Sequence, residues 1–162
     1  YWTGYLGRSI AEGAFALSTL TISGVVGNFF GGWLSDRIGQ QRVTIAGFGL
    51  LMAVLPVFLV LENPILCMLL LIPIGFSHSS TYSPSIVMGQ KYLPNHVGLS
   101  SGVTLGMAVA FGGIAAPFIG MIADHFGIWY SLAFVACLPV FCFALSLFLP
   151  SFKPGPTEAV KP

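Results

Sequence analysis

The residues best suited to chemistry lie between Gly75 and Ser85, in the stretch GFSHSSTYSPS. It sits inside a run, residues 63–90, that contains no Lys, Arg, Asp or Glu. Helical spacing puts Gly75, His78, Thr81, Tyr82 and Ser85 on one face. Hydroxyls and an imidazole on one face could hydrogen-bond a polar solute. His78 could also gain or lose a proton near neutral pH. Pro84 lacks an amide donor, so the carbonyl of Ser80 is left as a further acceptor. Polar groups within an apolar run are costly and face a cavity or a partner. Two readings stand side by side: the face lines a solute path and His78 relays protons, or His78 is a hydrogen-bonded packing residue.

Three other features invite chemistry and are answered locally. Glu12 follows Arg8 by one turn, but Ser9-Ile10-Ala11-Glu12 fits a capping box, which accounts for the acid without a functional role. Gly98-Leu99-Ser100-Ser101-Gly102 spells G-x-S-x-G, which marks a nucleophile only in a strand-turn-helix setting. Here a long apolar run follows and no strand precedes, so an intramembrane hydrolase is a remote alternative and no catalytic residue is assigned. Cys67, Cys137 and Cys142 lie within apolar runs at no metal-binding spacing. No metal site and no cofactor are expected.

The elements that must position these residues follow from composition. Of 162 residues, 56% are hydrophobic and only 7% charged, far below the ~25% of soluble domains. Charge is missing from residues 13–35, 43–61, 63–90, 92–123 and 125–152. Each gap approaches or exceeds the ~20 residues that cross a bilayer core. The expected fold is all-α, a polytopic transmembrane bundle of about five spans. The spans run from Ser9 to about Leu34, then about Val43–Leu61, Ile65–Gln90, His96–Ala123 and Ile128–Leu149. Strands are rejected, because the runs lack the period-2 alternation of a membrane barrel. Five spans place Arg37, Arg42, Lys91, Lys153 and Lys161 on one side and only Arg8 on the other. The basic side is expected to be cytoplasmic, with the C-terminal tail, residues 150–162, on that side. A net charge of +1 points to no nucleic-acid partner. The second and fifth spans are nearly free of polar side chains, which suits lipid-facing helices. The first and fourth carry glycines spaced by four, Gly27/Gly31, Gly98/Gly102 and Gly102/Gly106, which permit close helix approach. The chain begins at Tyr1 and is expected to be a piece of a longer protein.

Between the first two spans, GWLSDRIGQQR (residues 32–42) resembles the G-x-L-(A/S)-D-R-x-G-(R/K)-(R/K) loop of the major facilitator superfamily. Gln40 and Gln41 depart from the basic pair. The resemblance implies a cytoplasmic hinge built on Gly32, Asp36, Arg37, Gly39 and Arg42, with Asp36 able to accept from Arg42 or from a helix amino end. Residues 112–120, GGIAAPFIG, resemble the antiporter signature G-x-x-x-G-P-x-x-G-G, with Ala116 and Met121 replacing glycines. Gly112, Gly113, Pro117 and Gly120 would form the kink. Residues 92–102 and 123–127 are similar to fosmidomycin-resistance-type efflux proteins.

The resemblance covers essentially the whole chain. It implies helices eight to twelve of a twelve-helix facilitator fold, with residues 1–8 ending helix seven and the N-terminal half absent. Helices nine and twelve would be peripheral supports, and helix ten would line the cavity with His78, Thr81, Tyr82 and Ser85. The implied activity is proton-coupled efflux of a small polar drug or metabolite by alternating access, across the cytoplasmic (inner) membrane. Implied partners are that solute, protons, the lipid bilayer and the other half of the same protein. The alternatives are an uptake carrier for a sugar or organic acid and a non-transporting helical assembly module.

Overall fold

The computed structural model describes residues 2–4 and 6–149. Six helices follow one another: α1 (Ile10–Ile38), α2 (Gln40–Val60), α3 (Pro64–Ser80), α4 (Tyr82–Tyr92), α5 (Val97–Phe126) and α6 (Ile128–Leu147). A 3-10 turn, Pro94–His96, precedes α5, and the described residues include no strand. With α3 and α4 taken as one span, five helices are long and apolar enough to cross a membrane.

Local chemistry sets the helix ends. The capping box forms as expected: the Glu12 amide donates to Ser9 Oγ (3.2 Å) and the Ser9 amide to Glu12 Oε2 (2.9 Å). Asn63 caps α3, its Oδ1 accepting from the Ile65 amide at 3.0 Å, with Pro64 in the first turn where no donor is needed.

Two boundaries differ from expectation. The first span runs past Leu34 to Ile38, and the second starts at Gln40 rather than Val43. The expected loop is therefore a single residue. Gly39 adopts φ 96°, ψ 147°, a region open essentially to glycine alone, and its amide donates to Ser35 O at 3.0 Å. Asp36, Arg37 and Arg42 are helical. Gly127 makes a matching corner between α5 and α6, with φ 97°, ψ 157° and its amide on Ala123 O at 2.9 Å. The two corners share a sequence, Gly32-x-Leu-Ser-Asp-Arg-Ile-Gly39 and Gly120-x-Ile-Ala-Asp-His-Phe-Gly127. They lie at opposite ends of the bundle, because an odd number of spans separates them.

The third span is also broken, at Thr81, where one continuous helix was expected. Pro84 cannot donate to Ser80 O and its ring crowds that carbonyl, so the helix stops and restarts one residue later.

Packing centres on a seam between α1 and α3. A Cβ placed on Gly27 would collide with the backbone of Phe76, and one on Gly31 with that of Ser80. Gly75 of α3 meets Leu20 and Ser23 in the same way. Glycine is required here because helix backbones touch. The α2 helix lies along α3 and α6, burying Val43, Thr44, Gly47, Leu51 and Phe58 and exposing Leu50, Val57 and Val60. The core is Ala16, Leu51, Phe58, Cys67, Leu71 and Ile74. By contrast, among the described residues α5 touches only α4, α6 and the turn before it, and buries Ser100 alone. The expected tail, with Lys153 and Lys161, lies outside the described residues.

Candidate functional site

The seam leaves different surfaces on its two sides. On one side, α1 and α3–α4 enclose an open cleft of about 410 Å³. Thr21, Asn28, His78, Ser79 and Tyr82 supply its polar groups, and Gly24 and Gly75 its floor. Thr21, Val25 and Asn28 are spaced by four and three, so one stripe of α1 faces the cleft. Among the described residues no Asp, Glu, Lys or Arg lines it. It offers neutral donors and acceptors and one imidazole. Among the described residues the His78 ring makes no hydrogen bond, so it is free to meet a ligand.

Of the four residues expected on a cavity-lining face, His78 and Tyr82 line this cleft, while Thr81 and Ser85 do not. Thr81 occupies the helix break. It is buried, its Oγ1 donates to His78 O at 2.8 Å, and its methyl group packs at Gly47 of α2. Ser85 donates to Thr81 O at 2.6 Å and thereby bridges the break. The break at Thr81 interrupts the helical register that would have kept the four together.

Thr21, Asn28 and Ser79 were not anticipated. Asn28 was detectable in principle: it is the only amide or charged side chain in residues 13–35 and stands two turns from Thr21.

At the Gly39 corner, Asp36 is exposed and, among the described residues, makes no ion pair or hydrogen bond; it is not joined to Arg42. Arg37 instead lies over the Trp33 ring, 4.0 Å from its centroid. Gln40, which replaces a basic residue of the motif, accepts from Lys91 Nζ at 3.0 Å. Gln90 Nε2 donates to Ser101 Oγ at 2.8 Å. These two bonds tie the corner, the end of α4 and the start of α5 together, and they put Arg42 and Lys91 at the same end of the bundle. Ser35 is almost fully buried, and its Oγ is the one buried side-chain polar atom without a partner among the described residues.

Gly112, Gly113, Pro117 and Gly120 all lie within the unbroken α5. A Cβ on any of these glycines, or on Gly98, Gly102 or Gly106, would meet nothing within 4 Å. Gly98–Gly102 follow a 3-10 turn, and no strand precedes them among the described residues, so the strand-turn-helix of a hydrolase nucleophile is not formed.

The family model described as Major Facilitator Superfamily matches residues 1–162. The chain is 34% identical, over 143 residues, to the uncharacterized MFS-type transporter YfnC of Bacillus subtilis (strain 168), covering 88% of this chain and 34% of that protein. It is 33% identical, over 156 residues, to the fosmidomycin resistance protein of Escherichia coli (strain K12), covering 93% of this chain and 37% of that protein. The chain thus spans about a third of the length of these two relatives.

Proposed function

The chain belongs to the major facilitator superfamily, and from that premise we propose that it is most of the second half of a secondary transporter. Its apolar helices make it an integral membrane protein. The carrying observation is the family match along the whole chain. The polar cleft supports it as one wall of a solute path, near mid-span, where alternating-access carriers bind. The solute is a small polar drug or metabolite, held by neutral hydrogen bonds from Thr21, Asn28, Ser79 and Tyr82. We infer proton-coupled export, a reading that a relative named for fosmidomycin resistance supports, with His78 as the imidazole lining the cleft.

In this reading the rest of the polypeptide supplies helices one to seven, and residues 1–8 lead out of the seventh. The span of about a third of each relative supports this, as does α5, whose glycine stripe Gly98, Gly102, Gly106, Gly113 and Gly120 is uncovered. Gly112, Gly113, Pro117 and Gly120 would let that helix bend. The rim carrying Arg37, Arg42 and Lys91 is cytoplasmic by its excess of cations, and the C-terminus lies with it in the inner membrane. Gly32, Asp36, Arg37, Gly39 and Arg42 form the cytoplasmic hinge.

The test uses cells expressing the intact gene product. They retain less labelled fosmidomycin than vector controls, and collapsing the proton gradient removes the difference. Asn28→Leu and His78→Leu each lower export by roughly tenfold, the worth of one hydrogen bond at ~1.4 kcal/mol, without loss of protein from the membrane. Equal retention in both strains overturns export of this drug. Export unaffected by either replacement overturns the cleft as the path.

A further inference from the structure

On the other side of the seam, α1 and α2 diverge and leave an apolar crevice of about 180 Å³. Phe30, Trp33 and Leu34 form one wall, Val43 and Leu50 the other, and Phe76 of α3 closes the back. No ionisable side chain lines it. Asn28 and Thr21 point into the polar cleft, and Phe30 and Trp33 lie roughly 160° and 140° around α1 from Asn28 at 100° per residue. The crevice therefore opens on a different side of the bundle from the solute path.

We propose that this crevice binds an anionic phospholipid, with an acyl chain between α1 and α2 and the phosphate on Arg37. Three observations converge. The walls are apolar and partly exposed: Phe30, Trp33 and Leu50 each keep more than 40% of their surface open. The mouth is cationic, because each wall ends in an arginine. Arg37 stands one turn beyond Trp33, its guanidinium fixed 4.0 Å over that ring, and the exposed Arg42 adjoins Val43. Asp36, the one acid of the corner, leaves it net positive. Finally, Trp33 sits in the turn before the rim, where the hydrocarbon gives way to headgroups and amphipathic aromatics are favoured.

An apolar slot capped by a fixed guanidinium fits an amphiphile with an apolar tail and an anionic head. The planar fork of arginine donates two N–H groups to phosphate, and the ring beneath holds it in place. Phe30 lies seven residues from Arg37, so the slot runs roughly 10 Å inward from the headgroup level at 1.5 Å per residue. That depth takes the upper part of an acyl chain. The site does not depend on which solute is carried.

The test is lipid retention, read separately from transport. The intact protein, purified in mild detergent, is titrated with phosphatidylglycerol or phosphatidylcholine of the same acyl chains and weighed by native mass spectrometry. Phosphatidylglycerol is retained preferentially. Arg37→Gln lowers that preference roughly fivefold, the worth of one cation at an anionic lipid. Arg37→Lys restores part of it, and Arg8→Gln at the opposite rim changes nothing. Leu50→Trp, which fills the slot, weakens retention of both lipids. Equal retention of the two lipids, or an Arg37→Gln protein matching the parent, overturns the proposal. So does a photoreactive side chain at position 50 that labels another segment of the protein, or a second copy of it, rather than lipid.

Discussion

Gly31→Ala challenges the seam that sorts the two surfaces. A Cβ at position 31 would stand 2.6 Å from Ser80 Cα and 2.8 Å from its carbonyl carbon. The Ser80 carbonyl oxygen lies closer still, and ordinary contact begins at 3.4 Å, so α1 and α3 must part by at least about 0.8 Å. A gap of that size forfeits between a quarter and a half of each dispersion contact across the seam. The obstructing atoms are backbone and cannot swing aside. Overpacking of this kind costs about 1–3 kcal/mol. The helix-propensity gain of Ala over Gly, about 0.5–1 kcal/mol, offsets only part of it. The net loss is about 1–2 kcal/mol, or a five- to thirty-fold shift toward the unfolded form. The assay is reversible unfolding of the intact protein in mixed micelles of rising SDS fraction, followed by tryptophan fluorescence. Gly13→Ala is the control: its Cβ would lie 3.6 Å from Trp2 Cβ, an ordinary contact, so stability should hold or rise. If Gly31→Ala unfolds at the same SDS fraction as Gly13→Ala, the backbones do not touch there.

Gly39→Ala and Gly127→Ala should each destabilise by about 1–3 kcal/mol, since both glycines hold φ near 96° with an extended ψ; the same SDS titration checks this, and indifference at either corner would show it to be relaxed. Ser35→Ala should be neutral or slightly stabilising, because the buried hydroxyl it removes has no partner. Ser35→Leu should lose about 1–3 kcal/mol by overpacking the corner, and a stable Leu variant would mean the site is roomier than 1% exposure implies.

Membrane residence and span number were readable because charge marks every end: the five charge-free runs coincide with the five spans. The Ser9–Glu12 cap was readable because it is local. The Gly39 corner reads as a loop in the sequence because Asp36, Arg37 and Gln40 look like loop residues, while one glycine at positive φ suffices to turn the chain. The break at Thr81 depends on Pro84 three residues later, so helical spacing predicts one continuous face through it, and the cleft reaches neither Thr81 nor Ser85. The glycine pattern itself carried no partner. Gly27 and Gly31 touch α3, whereas Gly98, Gly102 and Gly106 have the same spacing and touch nothing among the described residues. Spacing shows that a face is small; only topology shows what lies against it. For the same reason Gln40–Lys91, two residues 51 apart, was beyond sequence reasoning.

The position of each site follows from where α1 is allowed to approach α3. In lipid there is little hydrophobic drive between helices, so close packing of small residues fixes their rotation. Gly24, Gly27 and Gly31 make that contact, and everything else on α1 is placed by its angle from them. Thr21 and Asn28 fall on one flank and face hydroxyls and an imidazole. Phe30 and Trp33 fall on the other and face Phe76 and the apolar wall of α2. Rotating α1 by one residue, 100°, would carry Asn28 toward the seam and take Trp33 away from the crevice. The proposed solute path and the proposed lipid slot therefore share one determinant. Opening the seam at Gly31 should weaken solute flux and lipid retention together, while Asn28→Leu should spare lipid and Leu50→Trp should leave the cleft intact.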